Sequence, residues 1–282
     1  MVTGGGRGIG AAVAQALAAE GAAVTLCSRT LDQVAAVADA IRHNGHRAEA
    51  FECDVSRAAE VRRLAEQAVD WMGGVDILVN NAGFAPSAPL KAIRLEEWER
   101  VFAVNVTGTF LCTQAFMPGL VDAGWGRVIN IASIASKVGH PYIAAYVASK
   151  HAVLGFTRAV AAEVARNGVT VNAICPGYVD TPMTADSVDR IVHKAQISEE
   201  EALEFMRSAS PQGRLMNVRE IAYLAVCLCD EQARGINGQG IVLDGAWSPP
   251  DGVVVGVPSP GTGTVVVVAA PGDPGDPPAG ST

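Results

Sequence analysis

Strand and helix patterns alternate along almost the whole chain, and this alternation constrains the fold more than any other feature of the sequence. Strands separated by helices need crossover connections, which place the strands parallel in one sheet and the helices on both of its faces. We therefore predict an α/β fold with a doubly wound parallel sheet, formed by a single domain over residues 1–248. The predicted strands cover residues 2–3, 22–28, 47–53, 75–79, 127–132, 169–174 and 240–243. The predicted helices run from the first glycine cluster to Ala19 and over residues 31–43, 56–72, 95–123, 142–166 and 218–229, with Thr30 placed to cap the second.

The first strand ends in a glycine cluster, Gly4-Gly5-Gly6-Arg7-Gly8-Ile9-Gly10. Glycines at such a junction let the backbone turn tightly and approach a pyrophosphate, which rests on the positive N-terminus of the following helix. Glycine clusters also form ordinary turns, so the argument depends on the position of this one at the first strand-helix junction. In doubly wound sheets, ligands bind beside the carboxyl ends of the strands, where this loop lies. The sequence therefore predicts a Rossmann-type dinucleotide site.

The end of the second strand, Cys27-Ser28-Arg29, bears on which dinucleotide is bound. A carboxylate at this point would accept hydrogen bonds from an adenosine ribose and repel a 2′-phosphate, and this strand end has none. Arg29 and Arg7 suit a phosphate instead, which favours NADP(H), with NAD(H) as the second choice. The alternative is that Arg29 is only a solvated side chain at the approach to the next helix.

Tyr146 and Lys150 lie four residues apart in a helical pattern, which places the phenol and the ammonium on one helix face. A free tyrosine titrates near ~10, and a nearby ammonium is expected to lower that pKa, so that the tyrosine can exchange a proton with an alkoxide or an alcohol. The same pair also arises on helices by coincidence. Ser133, which closes the preceding strand, and Asn105, an amide within a long apolar helix, argue against coincidence. We predict that these four residues form a catalytic set.

Together these motifs resemble the short-chain dehydrogenase/reductase family over residues 2–245. The pattern departs from the family in its first strand, because only three residues precede the first glycine and a strand usually has about five or six. A start position set too late would explain this departure, which concerns stability more than the site. The matching elements are TGGGRGIG from Thr3 to Gly10, Asp54 after the third strand, NNAG from Asn80 to Gly83, Asn105, Ser133, the Tyr146/Lys150 pair, Pro176-Gly177 and Thr181.

The resemblance implies a role for each position. Tyr146 would be the general acid/base, Ser133 would hold the substrate carbonyl oxygen, and Lys150 would bind the nicotinamide ribose while lowering the tyrosine pKa. Asn105 would hold a water that connects Lys150 to solvent as a proton relay. The cofactor-binding residues would be Gly4, Arg7, Gly8, Ile9, Gly10, Ser28, Arg29, Asp54, Val55, Asn81, Ala82, Gly83, Tyr146, Lys150, Pro176, Gly177, Val179 and Thr181.

Residues 182–214 are expected to form the mobile lid that this family places over the substrate, with two short helices, one of them starting at Ser198. The lid pattern is most similar to that of 3-oxoacyl-carrier-protein reductases, 3-hydroxyacyl-CoA dehydrogenases and polyketide ketoreductases. The predicted reaction therefore interconverts 3-oxoacyl and 3-hydroxyacyl thioesters, linked to coenzyme A or a carrier protein. The alternatives are reduction of a free ketone, diketone or cyclic alcohol, and an inactive cofactor-binding regulatory protein, against which the complete catalytic set argues. The cations that could meet phosphates of such an arm, or simply solvent, are Lys137, His140, Arg190, Lys194, Arg207 and Arg214.

Composition limits the other partners. The net charge of −8 argues against a nucleic acid or an anionic membrane as a partner, and no leader or membrane-spanning run is expected. The six cysteines are scattered without a CxxC pair and the five histidines lack metal-ligand spacing, so we expect a reducing, cytoplasmic location and no metal. The resemblance implies a homotetramer in which the two long helices, 95–123 and 142–166, pack across an interface.

The end of the chain differs in composition from the rest. From Pro249 it becomes rich in proline and glycine, so residues 249–282 are predicted to be a low-complexity extension. A sharper hypothesis is that residues 264–270 pair with the sheet and compensate for the short first strand.

Overall fold

The computed structural model describes residues 1–246 together with the short strands Val254–Val255 and Val267–Val268. Seven parallel strands form one sheet in the order β3-β2-β1-β4-β5-β6-β7, with helices on both faces, so the predicted doubly wound fold is confirmed. The strands of this sheet are β1 Val2–Thr3, β2 Val24–Ser28, β3 Ala48–Glu52, β4 Ile77–Asn80, β5 Gly126–Ile131, β6 Val169–Pro176 and β7 Gly240–Leu243. The helices are α1 Gly8–Ala19, α2 Leu31–His43, α3 Ala58–Met72, α4 Leu95–Phe102, α5 Gly108–Asp122, α6 Ala144–Val164, α7 Pro182–Ala195, α8 Glu199–Ser208 and α9 Val218–Cys229.

Two large apolar cores hold the layers together. One joins α1, α2 and α9 to the sheet through buried side chains such as Leu17, Ile41 and Ile221. The other joins α3, α5 and the end of α6 to the sheet, with Leu64 and Leu120 at its centre. Every residue of β5 and β6 is buried, as expected for central parallel strands that are covered on both faces.

The strand order reverses beside β1, and this reversal positions the site. The chain leaves the sheet after β3 and returns at β4, on the other side of β1. Crossovers that run in opposite directions leave a crevice at the carboxyl ends of β1 and β4, where ligands bind in folds of this kind. Although β1 has only two residues, the backbone of Met1 extends its ladder, since the Val79 N–H donates to the Met1 carbonyl at 2.8 Å.

The predicted helix 95–123 is not one regular α-helix. A π-helical segment, Ala103–Thr107, joins α4 to α5. On length and mean hydropathy alone, the joined helix Leu95–Asp122 could cross a membrane, which the sequence analysis did not anticipate. Phe116 and Leu120, buried side chains of α5, belong to the second core, so packing against the sheet accounts for part of this apolar character.

Helix α2 begins at Leu31 as predicted but without the predicted capping bond, and α3 and α6 begin two residues later than predicted, at Ala58 and Ala144. Thr30 makes no side-chain capping bond on α2; its backbone N–H instead donates to Ser28 Oγ at 3.1 Å. Helix α6 begins at Ala144 because Tyr142 has a φ of +68°, in the left-handed region that an α-helix excludes. The predicted start of α8 is confirmed, since Ser198 and Glu201 form a reciprocal capping box.

The hypothesis that residues 264–270 pair with the main sheet is wrong for the part of them that the structure describes. Val267–Val268 pairs antiparallel with Val254–Val255 in a separate two-stranded sheet and does not join the seven-stranded one. The rest of the predicted extension, residues 249–282, lies outside the described residues.

A truncation in the second core tests the packing. Leu120 is fully buried, so Leu120→Ala removes apolar contacts and leaves a cavity, which should lower the free energy of unfolding by about 2–5 kcal/mol. Leu90, which is 78% exposed, supplies the matched control Leu90→Ala, which should change stability little. Urea unfolding followed by circular dichroism measures both. Equal effects of the two substitutions would contradict the assignment of Leu120 to the core.

Candidate active site

The glycine loop lies at the switch point, against the end of β4. Gly4 and Gly8 have φ values of +63° and +56°, which favour glycine. A Cβ at Gly4 would lie 2.9 Å from the Cα of Ala82, so a side chain there would collide with backbone. Asn81 Nδ2 donates to the carbonyls of Thr3 and Gly4, both at 3.0 Å. The amide of Asn81 therefore fixes the turn that leads into α1.

This arrangement fits a dinucleotide. Helix α1 begins at Gly8, so its free backbone N–H groups face the crevice, and the loop before it has no side chains that would fill the space needed by a pyrophosphate. Gly83, after β4, is also closely packed, since a Cβ there would come within 3.2 Å of Asn105 Oδ1 and 3.7 Å of Lys150 Nζ. The glycine loop after β1 and Gly83 after β4 therefore lie at the same carboxyl edge of the sheet.

The residues predicted for the adenosine end lie beside the tip of β2. Arg7 and Arg29 are both exposed, and no carboxylate follows β2, although Glu52 of β3 is level with Ser28 in the register. Burial acts to raise the pKa of Asp54, but hydrogen bonds from the Ser56 hydroxyl and N–H, and then the charge of Arg29, lower it overall. The carboxylate of Asp54 is therefore ionised at neutral pH and is oriented by Ser56 at the end of β3.

Ser133, Tyr146 and Lys150 line one cavity of about 180 Å³. Ser133 follows β5, and its Oγ accepts the Ala135 N–H at 3.1 Å, which fixes the turn. The Tyr146 hydroxyl hydrogen-bonds to the Ser133 side chain, and Lys150 lies one helical turn further along α6. Seven further predicted residues line the same cavity: Ile9, Asn81, Gly83, Pro176, Gly177, Val179 and Thr181.

The protonation of the tyrosine differs from the expectation. Burial raises the pKa of Tyr146 to about 12, and the hydrogen bond to Ser133 offsets only part of that effect. Lys150 Nζ lies 5.6 Å from the centre of the Tyr146 ring and donates to the Ile131 carbonyl at 2.7 Å. Burial therefore sets the direction of the Tyr146 pKa, and the predicted lowering effect of Lys150 stays a prediction. At neutral pH Tyr146 carries its proton and is placed to donate it.

Asn105 lies in the π-helical segment, and its side chain is occupied by protein groups. Its Oδ1 accepts the Phe84 N–H at 3.1 Å, while its Nδ2 donates to the Phe84 carbonyl and to Ser149 Oγ at 3.1 and 3.0 Å. Ser149 Oγ in turn donates to the Tyr146 carbonyl at 2.7 Å. The amide thus ties the loop after β4 to the catalytic helix, and the predicted proton-relay role stays a prediction.

Sequence reasoning missed this network and the contacts of the lid. Ser149 stands between the two catalytic residues but showed no pattern of its own. Arg190 donates to the Ala85 carbonyl and Lys194 to the Ser87 carbonyl, at 3.3 and 3.0 Å, so both cations connect α7 to the loop after β4. Long-range contacts of this kind leave no local signal. Of the other cations considered for phosphate, Arg207 and Arg214 pair with Glu200 and Glu220, and His140 lines the cavity.

Comparison with known proteins gives a consistent result. A family model described as short chain dehydrogenase matches residues 1–191. A D-beta-hydroxybutyrate dehydrogenase of Cupriavidus necator is 38% identical over 88% of this chain and 96% of its own. A putative ketoacyl reductase of the granaticin polyketide synthase from Streptomyces violaceoruber is 38% identical over 87% and 91%. The crystal structure of a single-substitution variant of actinorhodin polyketide ketoreductase with NADPH superimposes with a TM-score of 0.85, at 36% identity over 87% and 95%.

The buried lysine generates a prediction about stability. Burial lowers the pKa of Lys150 from 10.5 to about 8, so the folded protein binds this proton less tightly than the unfolded chain does. Below pH 8 the buried charge therefore destabilises the fold, and stability rises with pH between about 8 and 10.5. Lys150→Met should raise the urea midpoint at pH 7, and its advantage over the wild type should shrink as the pH approaches 10.5.

The exposed Lys91 supplies the control Lys91→Met, which should show no such pH-dependent difference. If Lys150→Met were less stable than the wild type by the same amount at every pH, the lost hydrogen bond to Ile131 would outweigh the buried charge and the prediction would fail.

Proposed function

Because the chain belongs to the short-chain dehydrogenase/reductase family, whose members are NAD(P)-dependent oxidoreductases, we propose that it interconverts 3-oxoacyl and 3-hydroxyacyl thioesters with NADP(H). The proposal rests on one observation: Ser133, Tyr146 and Lys150 line the same cavity, close to the glycine loop. A proton donor, a group that holds a carbonyl oxygen and a dinucleotide site then lie within reach of one substrate.

In the reducing direction, NADPH would supply the hydride that the substrate carbonyl carbon accepts. Ser133 holds the carbonyl oxygen with a hydrogen bond, which places it beside the Tyr146 hydroxyl. With a pKa of about 12, Tyr146 keeps its proton at neutral pH, and the developing alkoxide, a stronger base, takes it. Lys150, anchored on the Ile131 carbonyl, would hold the nicotinamide ribose, and its positive charge would favour the phenolate.

NADP(H) is proposed over NAD(H) on the charges near β2. Arg29, directly after β2, and Arg7, in the glycine loop, are both exposed, and guanidinium groups at these positions would suit a 2′-phosphate. The ketoreductase that superimposes on this chain was crystallised with NADPH, which supports the same choice.

The acyl thioester is proposed because the chain spans at least nine-tenths of relatives named as ketoacyl reductases. Reduction of a free ketone, diketone or cyclic alcohol is the second candidate, favoured by the small cavity and by the apolar side chains of Ile134, Ile143 and Met183 in its wall.

We also propose a homotetrameric, cytoplasmic protein. Leu95, Trp98 and Phe110 leave 66%, 36% and 41% of their surfaces exposed along the joined helix, more apolar surface than a solvated helix face usually presents. Association of copies through α4, α5 and α6 would cover it. The six cysteines, all of them free thiols, suit a reducing compartment.

A tyrosine substitution tests the proton donor. Tyr146→Phe removes the hydroxyl and keeps the ring, so kcat/KM for acetoacetyl-CoA should fall by about 100-fold or more while NADPH binding changes little. Tyr142→Phe is the matched control, since Tyr142 is 64% exposed and lies outside the cavity lining. Initial rates and fluorescence titration of NADPH measure the two effects. Unchanged turnover of Tyr146→Phe would refute the mechanism.

The cofactor choice has its own test. The wild type should oxidise NADPH faster than NADH with acetoacetyl-CoA, and Arg29→Ala should reduce that preference by about tenfold because one phosphate contact is lost. Arg62→Ala, at an exposed arginine of α3, is the control and should leave the preference unchanged. A wild-type preference for NADH would overturn the assignment of Arg7 and Arg29. Absence of turnover with both cofactors, in protein that binds one of them, would shift the proposal to ketones without a thioester arm.

A further inference from the structure

The active-site cavity lies between two segments that are distant in the chain. Helix α7 contributes Met183, Thr184 and Ser187 to its lining, and the loop after β4 contributes Gly83 and Ala85. A substrate that binds between these segments is enclosed only while α7 stays against the loop. The contacts between α7 and the loop therefore control access to the site.

Two cations of α7 form such contacts. Arg190 uses one guanidinium nitrogen, Nη2, to donate to the Ser187 hydroxyl at 2.7 Å and to the Ala85 carbonyl at 3.3 Å. Because Ser187 and Ala85 both line the cavity, this single nitrogen joins its two sides. Lys194, one turn further along α7, is exposed and donates to the Ser87 carbonyl at 3.0 Å. Both acceptors in the loop are backbone carbonyls, which carry no net charge.

The contact made by Arg190 is easily broken. Its bond to the Ala85 carbonyl is longer than the usual range of about 2.7–3.2 Å for an N–H···O hydrogen bond. Its Nε is buried and has no hydrogen-bond partner among the described residues. A buried donor without a partner costs free energy, and that cost disappears when the side chain moves into solvent. Arg190 therefore holds α7 against the loop without locking it there.

The far end of the lid is attached in a different way. Arg214 donates to both carboxylate oxygens of Glu220 in α9, at 2.7 and 2.8 Å, and this paired geometry fixes the direction of both side chains. Between the two ends, α7 and α8 share a small apolar core, to which α7 contributes Val188 and α8 contributes Ala202. The lid can therefore separate from the loop at Arg190 as one unit while it stays attached at Arg214.

On the basis of the proposed function, we propose that Arg190 is a positioning residue that closes α7 over a bound substrate and releases it after the reaction. Arg190 is not among the residues that line the cavity, so it acts through Ala85 and Ser187 and not on the reacting atoms. The enclosure it provides is the same before and during hydride transfer, which strengthens substrate binding without changing the chemical step. Lys194 is a second and weaker contact of the same kind, because solvent competes for its exposed ammonium.

A substitution at Arg190 tests this division between binding and chemistry. Arg190→Met removes the guanidinium and keeps an unbranched apolar stem, so KM for acetoacetyl-CoA should rise about tenfold while kcat stays within about twofold of the wild type. Arg190→Lys restores a charged donor and should bring KM back to within about threefold. Initial rates with saturating NADPH measure both, and Arg190→Gln replaces Arg190→Met if the latter does not fold. A loss confined to kcat, or no change in either constant, would overturn the proposal.

The lid supplies a matched control. Arg207, in α8, pairs with Glu200 and Glu204 of the same helix at 3.2 and 4.0 Å. Arg207→Met removes the same charge from the lid but leaves the contact at Arg190 in place, so both KM and kcat should stay at the wild-type values. An equal rise in KM for Arg207→Met would show that the loss of any lid cation has this effect, and the role of Arg190 would be refuted.

Proteolysis of the full-length protein without substrate tests the contact itself. A glutamate-specific protease should cut after the exposed residues Glu199, Glu200 and Glu201 about tenfold faster in Arg190→Met than in the wild type, because the lid separates from the loop more often. The urea midpoints of the two proteins should agree. Equal rates of cleavage, or a faster rate that a lower urea midpoint accounts for, would overturn the proposal. Faster cleavage at an unchanged midpoint, combined with no turnover of acetoacetyl-CoA, would support the contact and overturn the proposed function instead.

Discussion

The side-chain amide of Asn105 holds together the three segments from which the candidate site is built. It bonds to the N–H and the carbonyl of Phe84 in the loop after β4, and to Ser149 on α6, while its own backbone lies in the π-helical segment. A π-helical turn inserts a residue into the helix and changes the direction of side chains, which lets an amide in a long apolar helix face a polar network. Because Ser149 contacts the carbonyl of Tyr146, the position of the tyrosine depends on this amide.

A second network of buried side-chain hydrogen bonds joins neighbouring strands and helices. Asn80 Nδ2 donates to Thr113 and to Asn130 Oδ1, and Asn130 Nδ2 donates to Thr157. These bonds join β4 and β5 to α5 and α6, the same elements that carry the candidate catalytic residues. These bonds restrict the arrangement of the elements they join, although among the described residues Asn80 Oδ1 is buried without a hydrogen-bond partner, which adds a cost. The energetic cost of the site is concentrated in Lys150, whose charge is buried close to a tyrosine and anchored on a single carbonyl.

The sequence predicted the features that depend on local patterns of residues. It failed to predict the features that depend on groups distant in the chain. Alternating strands and helices predicted the fold, and for α9 and β7 the predicted bounds agree with the structure, because capping and apolar runs are local signals. The π-helical segment escaped notice because one extra residue barely disturbs a helical apolar pattern. The pKa of Tyr146 was predicted in the wrong direction because burial, which depends on the whole fold, outweighs a lysine one turn away. The Ala85 carbonyl that accepts from Arg190 lies about a hundred residues away in the chain, and no local pattern indicates it.

The loop after β4 connects the lid to the catalytic helix. Arg190 and Lys194 hold α7 to the carbonyls of Ala85 and Ser87, and the preceding residue, Phe84, is held by Asn105. The lid therefore closes onto a segment whose position is already set by the network around the tyrosine. Local bonds keep the lid helices ordered at their ends, since Thr181 caps α7 and Ser198 caps α8. The loop after β4 is therefore fixed on two sides, by Asn105 next to the catalytic helix and by Arg190 and Lys194 of α7.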